Sequence, residues 1–419
     1  MDLPPNILVI GAGPAGLMAA VAAASKGART LVLEQMERPG LKLLVTGGGR
    51  CNLTNTASSE DFMAAFGRQG RFMSQALAAM DSPGLRQFFE HMGVPSVCPD
   101  GFEVYPASNK AADVLGALLA RCKELGVEIR TRQTVTGIVI DRGPAGPAVR
   151  GVETPAGRFD ADRVVVCCGG RSYPNLGARG GGYELARQAG HKIVELVPAL
   201  VGLVCKEEAL GECAGVSIPH ARVWIDLPRA PKAGRSGAIL FTHSGVSGPA
   251  VLDISGDVSA LLATRKDVPL RIDLSPAEHK DAWLRRLDAW GHEHGTGTVR
   301  SLLAGHMPQA VADMICQTSL ISPIAPMANI DRARRNLIVE HVKSLPATVT
   351  RTEGFDKAIV TRGGVELKQV DPRTLASRLV AGLHFAGEML DLDGPCGGYN
   401  LQWAFSSGNL AGRSAAAAS

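Results

Sequence analysis

The stretch from Asn6 to Glu34 constrains the fold of this chain more than any other. Ile7-Leu8-Val9-Ile10 is an apolar run of the length of one buried strand, and Gly11-Ala12-Gly13-Pro14-Ala15-Gly16 follows it directly. Leu17 to Lys26 is alanine-rich and suits a helix that ends at Gly27. Thr30-Leu31-Val32-Leu33 reads as a second strand, closed by Glu34. Strand, G-x-G-x-x-G, helix, strand and acid in that order describe a βαβ dinucleotide-binding unit. Gly11 permits the tight turn, Gly13 lets a pyrophosphate approach the backbone, and Gly16 lets helix and strand pack closely. The helix N-terminus adds unpaired N–H groups and the positive end of a dipole. Glu34 lies about 20 residues after the glycines, where an acid binds a ribose hydroxyl and disfavours a 2′-phosphate.

The remainder of the chain decides which dinucleotide. Its 419 residues suffice for two or three domains. A net charge of +4 over that length argues against a nucleic-acid or membrane-surface binder. No apolar stretch approaches the roughly 20 residues of a membrane span, and no basic-then-apolar leader opens the sequence. The nine cysteines are odd in number and contain no C-x-x-C spacing. The expectation is therefore a reducing, cytoplasmic setting without a disulfide framework. His292, His294 and His306 lack companions at ligand spacing, so no metal is expected.

The 49 glycines exceed the usual share of about 7%, and they cluster. Thr46-Gly47-Gly48-Gly49-Arg50-Cys51-Asn52, with Lys42 upstream, reads as a loop able to wrap an anion or a flat ring. Phe62 to Met92 looks helical, as does Lys110 to Leu125; Val127 to Asp141 and Gly151 to Asp162 read as a meander. Arg163 to Cys168 is a buried strand that runs into Gly169-Gly170, and a helix opening near Gly180 follows. From His191 the pattern turns to strands, then from Pro276 to Lys343 to helices. That helical part carries eight Lys or Arg against seven Asp or Glu, which leaves no basic face for RNA. Leu379 to Ala386 reads as a last parallel strand, meeting Gly387-Glu388. Gly397-Gly398 opens a final helix, Leu401 to Ala418. A second helix start of this kind suits the charge that gathers at N1 and the C2 carbonyl of a reduced flavin.

On these residues the chain resembles the BaiN-like, or aminoacetone oxidase, family of FAD flavoproteins. The likeness rests on Gly11–Gly16 with Glu34, on Thr46 to Asn55, on Phe241-Thr242-His243-Ser244-Gly245-Val246-Ser247-Gly248-Pro249, and on Gly387-Glu388 through Gly394-Pro395-Cys396-Gly397-Gly398-Tyr399-Asn400-Leu401-Gln402. It implies an α/β fold: a Rossmann-like, glutathione-reductase-like FAD-binding domain from residues 1–190 and 346–419, with an insertion at 191–345 that is β-rich over 191–275 and helical over 276–345. The run Leu176-Gly177-Ala178-Arg179-Gly180-Gly181-Gly182 departs from the family's Thr-Gly-Ser-Thr-Gly-Asp-Gly and leaves the subgroup open.

The cofactor-binding set on this reading is Gly11, Ala12, Gly13, Pro14, Ala15, Gly16, Glu34, Gln35, Lys42, Gly48, Gly49, Arg50, Cys51, Asn52, Val135, Gly169, Gly387, Glu388, Gly397, Gly398, Tyr399, Asn400 and Leu401. His243, Cys51 and Tyr399 are the candidates for catalysis; imidazoles titrate near neutral pH, which suits acid–base work. Cys51 with Cys396 is the pair that would have to meet for thiol chemistry or a covalent flavin link. The expected activity is hydride transfer through flavin N5 to a small enone-like substrate. NAD(P)H visits as a transient co-substrate, because no second strand–G-x-G-x-x-G–helix unit exists to hold it. The alternatives are an amine oxidase that reduces O₂ to H₂O₂, and a non-catalytic flavin-binding or RNA-associated protein.

Overall fold

The computed structural model describes residues 7–294 and 296–417; Asn6 and Ala418, the outer ends of two expected elements, lie outside them. The chain folds as two compact units. One is formed by the described residues up to Val197 and from Val360 onward, the other by Pro198–Ile359.

The first unit is built on a five-stranded parallel sheet, in the order Leu383–Phe385, Arg163–Val166, Ile7–Ile10, Thr30–Leu33, Glu128–Arg130. The central strand pairs in register on both sides, Ile7 with Arg163 and Thr30, Ile10 with Val166 and Leu33. All four of its side chains are buried, as a parallel strand covered on both faces requires. Each such side chain contributes roughly 1.5–3 kcal/mol. The helix Pro14–Ala24 follows, with buried side chains from Ala15 to Ala23. The antiparallel strands Gly137–Gly143, Gly146–Thr154 and Gly157–Asp160 form the meander. Glu128–Arg130, expected to belong to that meander, instead extends the parallel sheet.

The terminal helix Tyr399–Ala417 packs on the first helix through two glycines. A Cβ on Gly408 would overlap the carbonyl oxygen of Ala15, and one on Gly412 that of Ala19. The two contacts advance together along both helices, so the helices run parallel with their N-termini at the same end. The terminal helix begins nine positions before Gly408. The first helix begins one position before Ala15, so at 1.5 Å per residue the terminal helix's N-terminus stands about 12 Å beyond that of the first helix.

The second unit holds a closed six-stranded antiparallel barrel, in the order Leu203–Cys205, Gly245–Ser247, Arg235–Thr242, Ser217–Ile225, Val268–Asp273, Leu345–Thr352. Helices Lys280–Glu293, Val299–Ala304, Gln309–Thr318 and Arg332–Ser344 share one core with it. Because Leu345–Thr352 closes the barrel, this unit runs on to Ile359 rather than ending at 345.

Two expected stretches differ from the observed elements. Phe62 to Met92 is not one helix but Ser59–Ala65, a 3₁₀ segment Gly67–Met73, Ser74–Ala79 and Ser82–His91. Gly67 at φ 63° breaks the first, and Asp81 caps the last ahead of Pro83. The span 191–275, expected to be strands and turns, contains the helix Pro249–Leu262. Gly248 at φ 92° with Pro249 at the first helical position was its sequence signal. Among the described residues no helix is long and apolar enough to cross a membrane.

Candidate active site

The three glycines of the first turn have three different surroundings. A Cβ on Gly11 would lie 2.6 Å from the Cys167 carbonyl oxygen, and one on Gly16 would overlap the Gly11 carbonyl. A Cβ on Gly13 would meet nothing within 4 Å. Gly11 and Gly16 therefore close the turn against the sheet, and Gly13 borders open space. Gly13 also begins the helix without a side-chain cap, so the first-turn N–H groups of Ala15 and its neighbours face that space. A pyrophosphate fits there on steric and electrostatic grounds.

Glu34 is fixed against the same turn. Its Oε2 accepts the N–H of Ala12 at 2.7 Å and its Oε1 that of Met36 at 2.8 Å. A carboxylate oxygen has two lone pairs, so each retains acceptor capacity for a ribose hydroxyl. The Gln133 N–H donates to the Glu34 carbonyl, and Val135, two residues on, is half-buried against the core of this unit. The Gln35 amide turns away to donate to the Gly177 carbonyl.

A polar cluster follows the last sheet strand. Gly387, at φ 71°, brings the backbone close over Ala15 and is held by the Ser407 hydroxyl and the Trp403 indole. Glu388 comes next. Its Oε2 accepts from Lys42 at 2.8 Å, and its Oε1 from the Thr361 N–H at 2.8 Å and the Ser172 hydroxyl at 3.1 Å. Lys42 also donates to the Ser172 hydroxyl at 2.7 Å. Burial would raise the Glu388 pKa, but the Lys42 ammonium and these donors outweigh it and hold the carboxyl below its ordinary value. A side chain on Gly170 would overlap Glu388 and Thr361. Gly169 at φ 71° has open space around it.

The far end of the site is assembled from three segments. In the Thr46–Gly49 turn, Gly47, Gly48 and Gly49 all have positive φ, and a Cβ on Gly48 would touch nothing. Cys51 too has φ 64°. Arg50 lies 4.3 Å from the centroid of the Tyr105 ring, with its Nη2 3.3 Å from the Tyr105 hydroxyl. That hydroxyl donates to Glu103 Oε2 at 2.8 Å, and Asn52 Nδ2 donates to Glu103 Oε1 at 2.9 Å. Burial and the Glu103 carboxylate push the Tyr105 phenol up to about 12, so it stays a donor. Asn55, on the neighbouring Thr54–Asn55 strand, donates to the Gly397 carbonyl at 2.8 Å.

Gly397 and Gly398, at φ 100° and 82°, lead into the terminal helix. Asn400 pins the preceding loop, accepting the Gly394 N–H and donating to the Gly394 carbonyl. The Tyr399 ring packs 4.8 Å from that of Phe62 and 6.3 Å from that of Phe102. Leu401 packs against the core.

The candidates for catalysis fare differently. Cys51 is fully buried and its thiol is pushed up to about 12 by that burial, so it is a protonated group without the thiolate that redox or covalent work requires. No disulfide forms among the nine cysteines, Cys51 and Cys396 included. His243 belongs to the barrel unit, exposed at the turn between Arg235–Thr242 and Gly245–Ser247. The other expected residues all lie in the first unit. Among the described residues no cluster of His, Cys, Asp and Glu forms a metal site.

Sequence reasoning passed over Ser172, Thr361, Phe102, Glu103 and Tyr105. Glu103 and Tyr105 share one face of a strand by their two-residue spacing, which was a usable signal; Ser172 and Thr361 had none.

These residues fit FAD. The two helix N-termini are separated by about 12 Å, a span that a ribityl chain and part of a flavin ring bridge, and Lys42, Ser172 and Glu388 offer hydroxyl-binding groups in the same unit.

Comparison with known proteins agrees. The model of the HI0933-like protein Rossmann domain family matches residues 5–414. The 3-dehydro-bile acid delta(4,6)-reductase of Clostridium scindens is 36% identical over 417 residues, covering 98% of this chain and 99% of that protein. The ribosomal RNA dihydrouridine synthase of Escherichia coli is 28% identical over 410 residues, 96% of each chain. Among solved structures, the 3-ketosteroid-delta4-(5alpha)-dehydrogenase from Rhodococcus jostii RHA1 aligns with TM-score 0.51 at 18% identity, covering 99% of this chain and 97% of that one. The 3-ketosteroid delta1-dehydrogenase from Sterolibacterium denitrificans aligns with TM-score 0.52 at 13% identity, over 99% and 100%. Both show the fold.

Proposed function

This chain belongs to the HI0933-like Rossmann family and is an FAD-dependent oxidoreductase; from that premise we propose that it uses NAD(P)H to reduce a carbon–carbon double bond conjugated to a carbonyl in a small, largely apolar substrate. The observation that carries this reading is the make-up of the far end of the site. Phe102 is 40% exposed and packs beside Tyr399 and Gly397, with the Arg50 guanidinium held on the Tyr105 face of the same hairpin. An apolar, ring-lined surface with one anchored cation suits a planar carbonyl compound. The name of the Clostridium scindens relative, a reductase of a steroid acid, points the same way.

When bound, FAD supplies the hydride at ring N5 to the β-carbon of the substrate. The chain's own residues then have two tasks. Gly11 to Gly16, Glu34, Lys42 and Glu388 hold the cofactor. Arg50 faces the carbonyl oxygen, which gains the electron pair of the double bond as the hydride arrives. The α-carbon takes a proton from solvent, and the enol-like charge on oxygen collapses back to a carbonyl. The raised thiols of buried Cys51 and Cys167 and half-buried Cys168 have no role in this reading.

The test is anaerobic mixing of the yellow holoenzyme with NADH or NADPH, followed by a 3-keto-Δ4 steroid. Rapid bleaching by a nicotinamide and recolouring by the enone are expected. Bleaching by an amine alone, with H₂O₂ released in air, would replace this reading by an amine oxidase. The dihydrouridine synthase relatives favour a second substrate for the same bond chemistry, because the C5=C6 bond of uracil is conjugated to a carbonyl. A uridine-containing RNA in the recolouring step separates the two.

A further inference from the structure

The Asn52 side chain has one satisfied end and one unsatisfied end. Its Nδ2 donates to Glu103 Oε1 at 2.9 Å. Its Oδ1 is buried and has no hydrogen-bond partner among the described residues. Which way an amide points is open wherever both ends meet groups that donate and accept. Here it is fixed by chemistry. An ionised carboxylate only accepts, so the nitrogen must face Glu103 and the oxygen must face away. Glu103 cannot turn to relax this choice, because its Oε2 is taken by the Tyr105 hydroxyl at 2.8 Å. Tyr105 is in turn covered by Arg50.

A buried acceptor left empty costs on the order of 1–3 kcal/mol, so its partner is expected to arrive with a ligand that donates. The ligand's place is indicated by what borders Asn52. A Cβ on Gly47, the first of the three glycines, would lie 2.9 Å from the Asn52 backbone nitrogen. A Cβ on Gly397 would lie 3.7 Å from the same Glu103 oxygen that holds the Asn52 amide. Asn52 is thus tied to both the glycine loop and the start of the terminal helix. That helix start suits the N1 and C2-carbonyl edge of a flavin. Next to the C2 carbonyl on that edge the ring carries one N–H, at N3.

We propose that Asn52 Oδ1 accepts the flavin N3–H, and that Glu103, braced by Tyr105, is the positioning residue that orients it. The consequence is selective. N3–H is a donor in both redox states, so Asn52 recognises the ring itself and does not favour the reduced form over the oxidised.

The test uses the full-length protein stripped of cofactor and titrated with FAD or N3-methyl-FAD, in which a methyl group replaces that donor hydrogen. Wild type is expected to bind N3-methyl-FAD at least about tenfold more weakly than FAD, the size of one lost buried hydrogen bond. Asn52→Ala is expected to bind FAD about tenfold more weakly and to lose the discrimination. In Glu103→Gln the partner both donates and accepts, so the Asn52 amide is free to turn over and the discrimination shrinks. Should Asn52→Ala not retain its fold, FAD labelled with ¹⁵N at N3 gives a second readout in wild type, where the N3–H proton is expected to be shifted downfield and slow to exchange. Equal binding of both flavins by wild type, or undiminished discrimination in Asn52→Ala, overturns the assignment. Failure to bind FAD at all would strike instead at the cofactor.

Discussion

The two glycine-led helix starts of the FAD-binding unit solve the same problem by different means. At Gly11–Gly16 one contiguous run does everything: two glycines close the turn on the sheet, one borders open space, and Glu34 locks the loop through the Ala12 N–H. At Gly397–Gly398 the turn is held by residues from elsewhere. Thr54 lies under Gly398, Asn55 bonds Gly397, and Glu103 borders it from the next strand. The first end is local geometry, and the second is tertiary assembly. The first should therefore fail all at once, and the second by degrees.

The largest effect is expected at Gly16. A valine there drives its Cβ into the Gly11 carbonyl, which itself belongs to the turn, so neither side has room to give. The cost exceeds the roughly 1–3 kcal/mol of ordinary overpacking, because backbone rather than side chain must move. Gly16→Val should yield colourless protein whose thermal unfolding midpoint falls by several degrees even without cofactor. A variant that keeps its FAD would show the first turn to be less local than argued.

Acid should act on the assembled side. His384 sits buried in the edge strand Leu383–Phe385, and the His191 ring packs 4.7 Å from that of Phe385. Burial lowers both imidazoles from 6.5 to about 4. Above pH 6.5 they are neutral whether the chain is folded or not, and cost nothing. As pH falls below 6.5 the unfolded chain takes up protons that the folded chain refuses, so stability drops until about pH 4 and then levels. Each shift corresponds to a loss of about 3 kcal/mol at the bottom of that window. The strand leads directly to Gly387 and Glu388, whereas Ile7 to Glu34 contains no histidine. Urea unfolding between pH 7 and 4.5 should show the loss, and His384→Met should remove part of it. An unchanged pH slope in that variant would show that His384 is not the source.

Gly398→Ala is expected to be milder and more selective. It must hold an alanine at φ 82°, a strain of about 1–3 kcal/mol, and its single Cβ must also displace the Thr54 backbone, an overlap less deep than the one at Gly16. FAD affinity should fall while affinity for ADP, which engages only the first turn, stays near wild type. Parallel loss of both ligands would mean that the two ends are one cooperative structure.

The same contrast decides what could be read from the sequence. The first turn was legible residue by residue because each requirement is met within 30 positions of the others. The strand Arg163–Val166 and the helix Ala111–Glu124 were legible from burial and period alone. The Lys42–Glu388 contact joins residues 346 positions apart, and nothing in either neighbourhood names the other. Thr361 reaches Glu388 through its backbone N–H, a group every residue but proline carries, so its sequence holds no trace of the role. Closure of the barrel was hidden for a related reason. Alternation marks each strand, but Leu203–Cys205 pairs with Leu345–Thr352 across the whole insertion. The helix Pro249–Leu262 was legible from its Gly-Pro start, a signal that the β-rich reading of 191–275 does not use.

The smallest effect on stability, and the sharpest test of the first turn, is expected at Gly13. Its φ of −81° and ψ of −174° are open to alanine, and a Cβ there has no neighbour within 4 Å. Gly13→Ala should therefore leave the cofactor-free protein within about 0.5 kcal/mol of wild type, as surface substitutions away from special features do. The methyl group nevertheless occupies the space through which a pyrophosphate reaches the helix N–H groups, so affinity for both FAD and ADP should fall together. Denaturation of the stripped protein measures the first quantity and titration with each nucleotide the second. A glycine whose loss costs binding and not folding is there for the ligand. If stability falls with affinity, Gly13 shares the steric work of Gly11 and Gly16.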